Sequence, residues 1–322
     1  MKASTQRFLK DTGAKVPIVC GPMYPCSNPE LVAAASDAGG FGIVQPVSLT
    51  TVYKYDFREG LQLIKKLTNR PFGVNFTIFG GANKKYHRLM QEWMEISIEE
   101  GIKFFLTSLG KPHAIVKMAK QHGITVYHDI PNKKVALAMQ DAGVDGLNCI
   151  NWRGGGHTGT QSAEQFMEEL QEVKIPLICA GGIGNREDYL KALEMGYAGV
   201  QVGTRFLATH ECNITDGYKH AIVEATEEDI VWTNKISGHN TSVIKTDDIM
   251  RGGLQTGPII NFMMRRRRLK KLAQLFLISK GIKKFQKTTF DDSVKYWQAG
   301  KGVDNINSVE SVADVIKEFT EG

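Results

Sequence analysis

The sequence predicts an α/β fold, a (β/α)8 TIM barrel with a smaller C-terminal appendage over the barrel mouth. Three observations carry that expectation. Strand-like and helix-like segments alternate from residue 16 to residue 225, giving about eight units, the number such a barrel needs. The strand segments are continuous apolar runs, as suits parallel strands covered on both faces. Gly101, Gly123, Gly143 and Gly196 each stand between a helical pattern and the next strand, where glycine readily ends a helix. A doubly wound sheet is the competing architecture.

The units follow in order. "VPIVCGP" (16–22) reads as a strand and "NPELVAAASDAGG" (28–40) as a helix, with Asn28 as N-cap and Pro29 at N1. "FGIVQP" (41–46) precedes "REGLQLIKKLT" (58–68), whose apolar residues recur at helical spacing. "PFGVNF" (71–76) pairs with a helix over 87–101, "IKFFLTS" (102–108) with 113–123, and "ITVYHDI" (124–130) with 132–143. "VDGLNCIN" (144–151) pairs with 162–173, and "IPLICAGGI" (175–183) with 185–196. "AGVQVGTRFL" (198–207) closes the series, with a helix around 217–226.

The pattern then breaks. Residues 226–248 read as an irregular or β segment, 258–285 as a helix after Pro258, and 308–319 as a final helix capped by Ser308. The expected division is a barrel core in residues 1–226 and a covering region in 227–322 whose helices pack back on the barrel.

Composition bounds the rest. Of 322 residues, 42% are hydrophobic and 23% charged, with net charge +6, ordinary globular values. Five scattered cysteines lack zinc-like or C-x-x-C spacing. No metal is expected, and a reducing, cytoplasmic setting fits best. The N-terminus "MKASTQRFLKDTGAKVP" has no secretory pattern. No apolar run reaches the about 18 residues of a membrane span. The basic run "RRRRLKK" (265–271), with Lys280, Lys283, Lys284 and Lys287 beyond it, is either a solvated helix face or an attractor for acidic partners. No nucleic-acid motif accompanies it.

In such a barrel, functional groups lie at the C-terminal ends of strands. Ala180-Gly181-Gly182 ends the seventh expected strand and Gly203-Thr204 the eighth, the usual place for a phosphate grip. Bare backbone can close on phosphate oxygens, and the helix start near Asn185 adds its dipole. No dinucleotide fingerprint or Walker A sequence is present. Flavin mononucleotide (FMN) fits, with Gly21-Pro22-Met23 against its ring system and Asn75 offering donor and acceptor to the ring edge. His128 ends a strand and faces either the pocket or the protein interior. His87, His113, His122, His210 and His220 read as surface residues, and His239 as part of the covering segment. "NWRGGGHTGTQ" (151–161) sets His157 behind Gly154, Gly155 and Gly156. Such a loop can pass close to a flat cofactor, leaving an imidazole over it to exchange protons.

"GPMYPCSNPELVAAASDAGGFGIV", "PFGVNF", "GGGHTG", "CAGGIGNREDYLKALEMGYAGVQVGTRFL" and "WQAGKGV" together resemble the nitronate monooxygenase (2-nitropropane dioxygenase) family. The FMN-dependent enoyl-acyl carrier protein reductases share that fold and most of those motifs. The resemblance spans residues 16–319. It implies that Gly181, Gly182, Gly203 and Thr204 hold the FMN phosphate. Pro22, Met23 and Asn75 would lie on the ring side, and Gly300 would approach from the C-terminal region. It implies that His157 is the active-site histidine. Two departures stand out: Arg153 lies near the place of a family glutamate, and Gln45-Pro46 ends the second strand where glycine is usual.

Three readings follow. The first is an FMN oxidoreductase that oxidises a small anionic nitronate with O2. The second uses NAD(P)H as donor to reduce an enoyl thioester. The third is a flavin-binding barrel without catalysis. Arg153 either meets an anionic substrate or faces outward. A homodimer is compatible with all three.

Overall fold

Eight parallel strands close a barrel, so the expected (β/α)8 fold is what the chain adopts. The structure is a computed structural model and describes residues 1–78, 84–236 and 238–321. The barrel strands are β1 (Ile18–Cys20), β2 (Phe41–Val44), β3 (Gly73–Thr77), β4 (Phe104–Ser108), β5 (Thr125–Ile130), β6 (Gly146–Ile150), β8 (Leu177–Ala180) and β9 (Gly199–Val202). β9 returns to β1, with Val200 opposite Ile18 and Val202 opposite Cys20. The chain also forms β7 (Gly156–His157), β10 (Ile230–Thr233) and β11 (Thr241–Ile244), which make a separate antiparallel sheet.

Alternation along each strand divides the barrel into two layers. Val19, Phe41, Ile43, Phe104, Leu106, Tyr127 and Ile178 pack together inside it. Cys20, Val44, Val74, Phe105, Val126, Ile130, Leu147, Cys149 and Val200 face outward and pack with the helices. All five cysteines are free and buried.

A helix over Ala3–Thr12, which the sequence reading did not anticipate, closes the end of the barrel where the strands begin. Phe8 is fully buried among the inner residues, its ring 6.2 Å from that of Tyr127. Tyr127 donates its hydroxyl to Asp11 Oδ2 at 3.0 Å. Burying one such phenyl ring contributes about 1.5–3 kcal/mol.

The outer ring of helices closes in an unexpected way. The last helix, Val312–Glu321, packs against both Pro29–Asp37 and Arg186–Met195. It therefore takes the eighth place, which the sequence reading gave to residues 217–226. Its Phe319 stacks on Tyr189 at 6.1 Å. The helix start is also corrected. Ser311 accepts the Asp314 amide at 3.1 Å, while Ser308 donates to Glu310 and gives its carbonyl to Arg205.

Two further boundaries differ. The expected helix over 258–285 is two helices, Pro258–Arg265 and Arg267–Phe290. Neither Gly nor Pro marks the break; Arg266 is extended there and lays its guanidinium 5.0 Å over Phe262. The eighth barrel strand stops at Val202, and Thr204–Leu207 is helical. Asn28 does precede its helix, but its side chain binds Glu30 and the 211–213 loop. Among the described residues, no helix is long and apolar enough to cross a membrane.

Candidate active site

β8 and β9 end side by side, Ala180 opposite Gln201. Beyond Ala180, Gly181 and Gly182 have φ of 116° and 78°, a region that side chains with a Cβ rarely enter. Gly203 precedes the short helix Thr204–Leu207, whose first amides have no partner within the helix. Asn185 caps the next helix, accepting the Asp188 amide at 3.0 Å.

Glycines from separate segments meet here through backbone alone. A side-chain carbon on Gly300 would lie 2.7 Å from both Arg153 O and Gly155 N. One on Gly155 would stand 3.0 Å from Gly300 N and 3.3 Å from Thr204 Oγ1. One on Gly181 would be 2.6 Å from Gly154 N. Gly300 donates its amide to Thr204 Oγ1 at 2.9 Å, and Lys301 donates to Arg153 O at 2.8 Å. On the β1 side, the nearest atom to a carbon on Gly203 would be Met23 Sδ at 3.5 Å. Met23 is itself fixed by its amide, which donates to Ser27 Oγ at 2.7 Å. Its neighbour Pro22 is half-buried.

His157 sits on β7, a two-residue strand with no alternating pattern to announce it. Thr241 of β11 lies opposite His157 and Ser242 opposite Gly156, so the covering segment is laddered onto the histidine loop. Gly156 has φ of 68°, and a carbon on it would be 2.8 Å from Gln298 Oε1. The His157 ring lies 6.3 Å from that of His239, whose Nε2 is 3.0 Å from Gln274 Nε2. The His157 side chain keeps solvent contact on one side, with protein around the rest. That partial dehydration, and secondarily His239, pushes its imidazole below the usual range. The direction of that shift favours the neutral, proton-accepting form of the imidazole.

Arg153 is committed elsewhere. Its Nη1 pairs with Glu227 Oε2 at 2.6 Å and its Nη2 donates to Lys301 O at 2.7 Å. Lys301 Nζ reaches the same carboxylate at 3.3 Å. Both cations lie over Trp152, at 5.6 Å and 5.2 Å from its ring centre. The guanidinium thus straps the loop to the C-terminal region. Asn151 completes the loop: it donates to Gly181 O at 2.8 Å and accepts the Arg153 amide at 2.8 Å.

The floor of the mouth is formed by the last inner residues of the strands. Asn75 donates to Ser108 Oγ at 2.9 Å, Ser108 to Asp129 Oδ2 at 2.7 Å, and Asn148 to Asp129 Oδ1 at 2.7 Å. Burial pushes the Asp129 carboxyl up to about 6. Gln201 covers Gly21. The sequence reading singled out Gly21, Asn75 and Ala180 from this layer but assigned no role to Asp129, Asn148 or Gln201. Inner-face parity was the signal that could have found them. The same parity corrects His128. It shares a face with Val126 and Ile130, is 1% exposed, and sets Nδ1 2.7 Å from Thr107 Oγ1. It belongs to the outer layer, not to the mouth. His87, His113, His122, His210 and His220 are exposed as expected.

The residues present fit a flavin nucleotide. Gly155 and Gly300 meet chiefly through backbone, Gly181 lies against Gly154 and Asn151 Oδ1, Gly182 lies against the Arg153 side chain, and Gly203 leaves room up to Met23. Asn148 Oδ1 is buried and has no partner among the described residues, leaving an acceptor for a ring N–H. Gln45 accepts from Ser48 Oγ at 3.1 Å and so stays on its own loop.

A parallel barrel with its polar groups gathered at the strand C-termini defines an enzyme of the TIM-barrel class. Comparison narrows the class: the chain belongs to the nitronate monooxygenase family, which it matches over residues 6–322. It is 30% identical over 236 residues to the (3aS,4S,5R,7aS)-5-hydroxy-7a-methyl-1-oxo-octahydro-1H-indene-4-carboxyl-CoA dehydrogenase of Rhodococcus jostii. That match covers 73% of this chain but 64% of the relative's own length. A probable nitronate monooxygenase of Staphylococcus saprophyticus is 26% identical over 292 residues, covering 77% and 81% of the two chains. Among solved structures, FabK from Thermotoga maritima superposes with a TM-score of 0.79 at 25% identity, covering 98% and 96%. Nitroalkane oxidase from Streptomyces ansochromogenes shares the fold, with a TM-score of 0.73 at 20% identity over 98% of both chains.

Proposed function

We propose that the chain is an FMN-dependent oxidoreductase that oxidises a small nitronate-like substrate with O2. The observation that carries this reading is the approach of the Gly154-Gly155 backbone to Gly181 on one side and to Gly300 on the other, beside Thr204. Gly181, Gly182, Gly203 and Thr204 would hold the phosphate. Gly21, Pro22, Met23 and Asn148 would border the ring, with Asn75 in the floor beneath it. When bound, the flavin supplies electron acceptance and reaction with O2.

The chain's own contribution is positioning and proton handling. His157 Nδ1 or Nε2 would accept the α-carbon proton of a neutral nitroalkane, leaving the nitronate that is then oxidised; a substrate supplied as the nitronate needs no such step. A neutral imidazole suits that role better than charge pairing with a substrate that is already anionic. Arg153, tied to Glu227, holds the loop instead of binding the substrate anion. Pairing of β7 with β11 keeps the imidazole at a set height over the mouth, and the Asn75–Ser108–Asp129–Asn148 chain keeps the floor rigid.

Two likenesses favour a second reading, an NAD(P)H-dependent reductase of an enoyl thioester. They are the superposition on FabK and the Rhodococcus relative named for a carboxyl-CoA substrate. Anaerobic mixing of the FMN-loaded protein separates the two. Bleaching of the flavin band by an alkyl nitronate, and not by NADH or NADPH, is expected. Rapid bleaching by the nicotinamide alone would replace the first reading with the second, and failure to retain FMN would end both.

A further inference from the structure

The helical segment after the small sheet is unusual in charge and in what it exposes. Residues 258–290 carry four arginines, six lysines and no aspartate or glutamate. The side chains of Arg267, Arg268, Lys271 and Lys283 lie outside the described residues. Arg265, Arg266, Lys270, Lys280, Lys284 and Lys287 are all exposed. Among the described residues, none of these six forms an ion pair.

Large apolar side chains are exposed along the same two helices. Ile259 is 76% exposed, Phe262 54%, Leu272 58%, Leu275 49%, Phe276 49% and Phe290 53%. The opposite face is already used: Ala273, Leu277 and Phe285 are buried, and Phe285 packs with Ile236, Val243 and Ile249. The exposed residues therefore belong to a helix that is anchored, not one waiting to fold inward. Cations and rings are interleaved on it, with Arg266 5.0 Å over Phe262 and Lys280 4.4 Å over Phe276.

We infer that this surface docks the protein on an anionic lipid bilayer, lying in the headgroup plane rather than crossing it. The charge complementarity is one-sided, as a leaflet of acidic lipid requires. The apolar residues decide between occupants. A polyphosphate or an acidic protein surface would neutralise the cations but leave Ile259, Phe262, Leu272 and Phe276 in water. A bilayer interface takes both, since rings and aliphatic groups enter the acyl boundary while lysine heads reach back to the headgroups. The longer helix has 24 residues, about 36 Å of surface at the usual rise. It also touches the candidate site, because Gln274 contacts His239, the neighbour of His157. Docking would thus hold that side of the mouth against the lipid.

Sedimentation of the full-length protein with vesicles tests this. The probes are phosphatidylglycerol–phosphatidylcholine vesicles, pure phosphatidylcholine vesicles, and heparin as a soluble polyanion. Binding to the anionic vesicles at about 0.1 M salt, where screening extends over about 10 Å, is expected, with little binding to the neutral ones. K280E/K287E should lower vesicle partitioning by roughly tenfold or more. L272S/F276S should remove the part of the binding that resists high salt, with the circular-dichroism spectrum unchanged in both variants. Absence of binding to anionic vesicles, equal binding to neutral ones, or L272S/F276S binding like the parent would overturn the inference. Capture by heparin without vesicle binding would overturn it in favour of an acidic macromolecular partner.

Discussion

The Gly300 amide donates to Thr204 Oγ1 at 2.9 Å, and Gly300 packs directly against Gly155. One hydrogen bond and one backbone contact thus join the C-terminal region to both the short helix after the last barrel strand and the histidine loop. Because the atoms that would meet a side chain at position 300 are backbone, they cannot swing aside. Gly300→Val is expected to destabilise the fold by about 1–3 kcal/mol, the usual range for overpacking, and to lower the flavin-to-protein absorbance ratio. Gly257→Ala is the control, since a carbon there has open space. Equal flavin content in Gly300→Val and the parent would separate this junction from cofactor binding.

The strap between Arg153 and Glu227 makes a different prediction. With side chains 33% and 28% exposed, the pair should show a coupling of about 0.5–1 kcal/mol in a double-mutant cycle of R153M and E227Q. The coupling should shrink at high salt. Turnover should fall modestly and to a similar extent in both single variants. A large rise in KM confined to R153M would instead assign the guanidinium to the substrate.

For His157, the expected readout is a pH profile. Its imidazole is held below the usual range, so kcat/KM should rise with pH and level off below the ordinary histidine value of about 6.5. With a neutral nitroalkane as substrate, His157→Asn should lower kcat/KM by about 10²–10⁴-fold, as loss of a general base does, while FMN is retained and turnover of the preformed nitronate falls far less. Persistence of the same acid limb in the variant would remove His157 from that role.

His128 and Asp129 should give opposing slopes in stability against pH. Burial holds His128 down to about 4, while Asp129 is pushed up to about 6. In the unfolded chain they titrate near about 6.5 and about 3.9. Between those limits the unfolded chain protonates His128 and the folded one does not. Stability is therefore lost as pH falls from about 6.5 towards 4, by on the order of 3 kcal/mol. Asp129 contributes the reverse: the folded state keeps a proton that the unfolded state has released, so its contribution is lost as pH rises towards about 6. Its partial solvent contact makes the second slope the smaller one. Urea unfolding between pH 4 and 7 should show a shallower acid loss in His128→Gln and a steeper one in Asp129→Asn.

What could be read from the sequence was whatever leaves a backbone signature. Gly181, Gly182 and Gly300 stand where side chains would collide or φ turns positive, and their positions, with that of Gly203, relative to strand ends pointed to one junction. Inner-face polar residues were harder. His128 and Asp129 are neighbours at one strand end, and only the barrel's parity shows that the first faces the helices and the second the mouth. Arg153 could be read equally as a substrate ligand or as an outward-facing charge because its partner, Glu227, comes from a segment with no regular pattern. Similarly, the closing helix could not be placed from local signals, since its position in the ring depends on packing against helices near both ends of the barrel.

The pairing of β7 with β11 has an evolutionary consequence. Main-chain ladders are nearly indifferent to which side chains they carry. Residues along β11 and its flanking turns can therefore diversify while the imidazole's seat is inherited unchanged. Side chains in that segment can thus change without moving the proposed base.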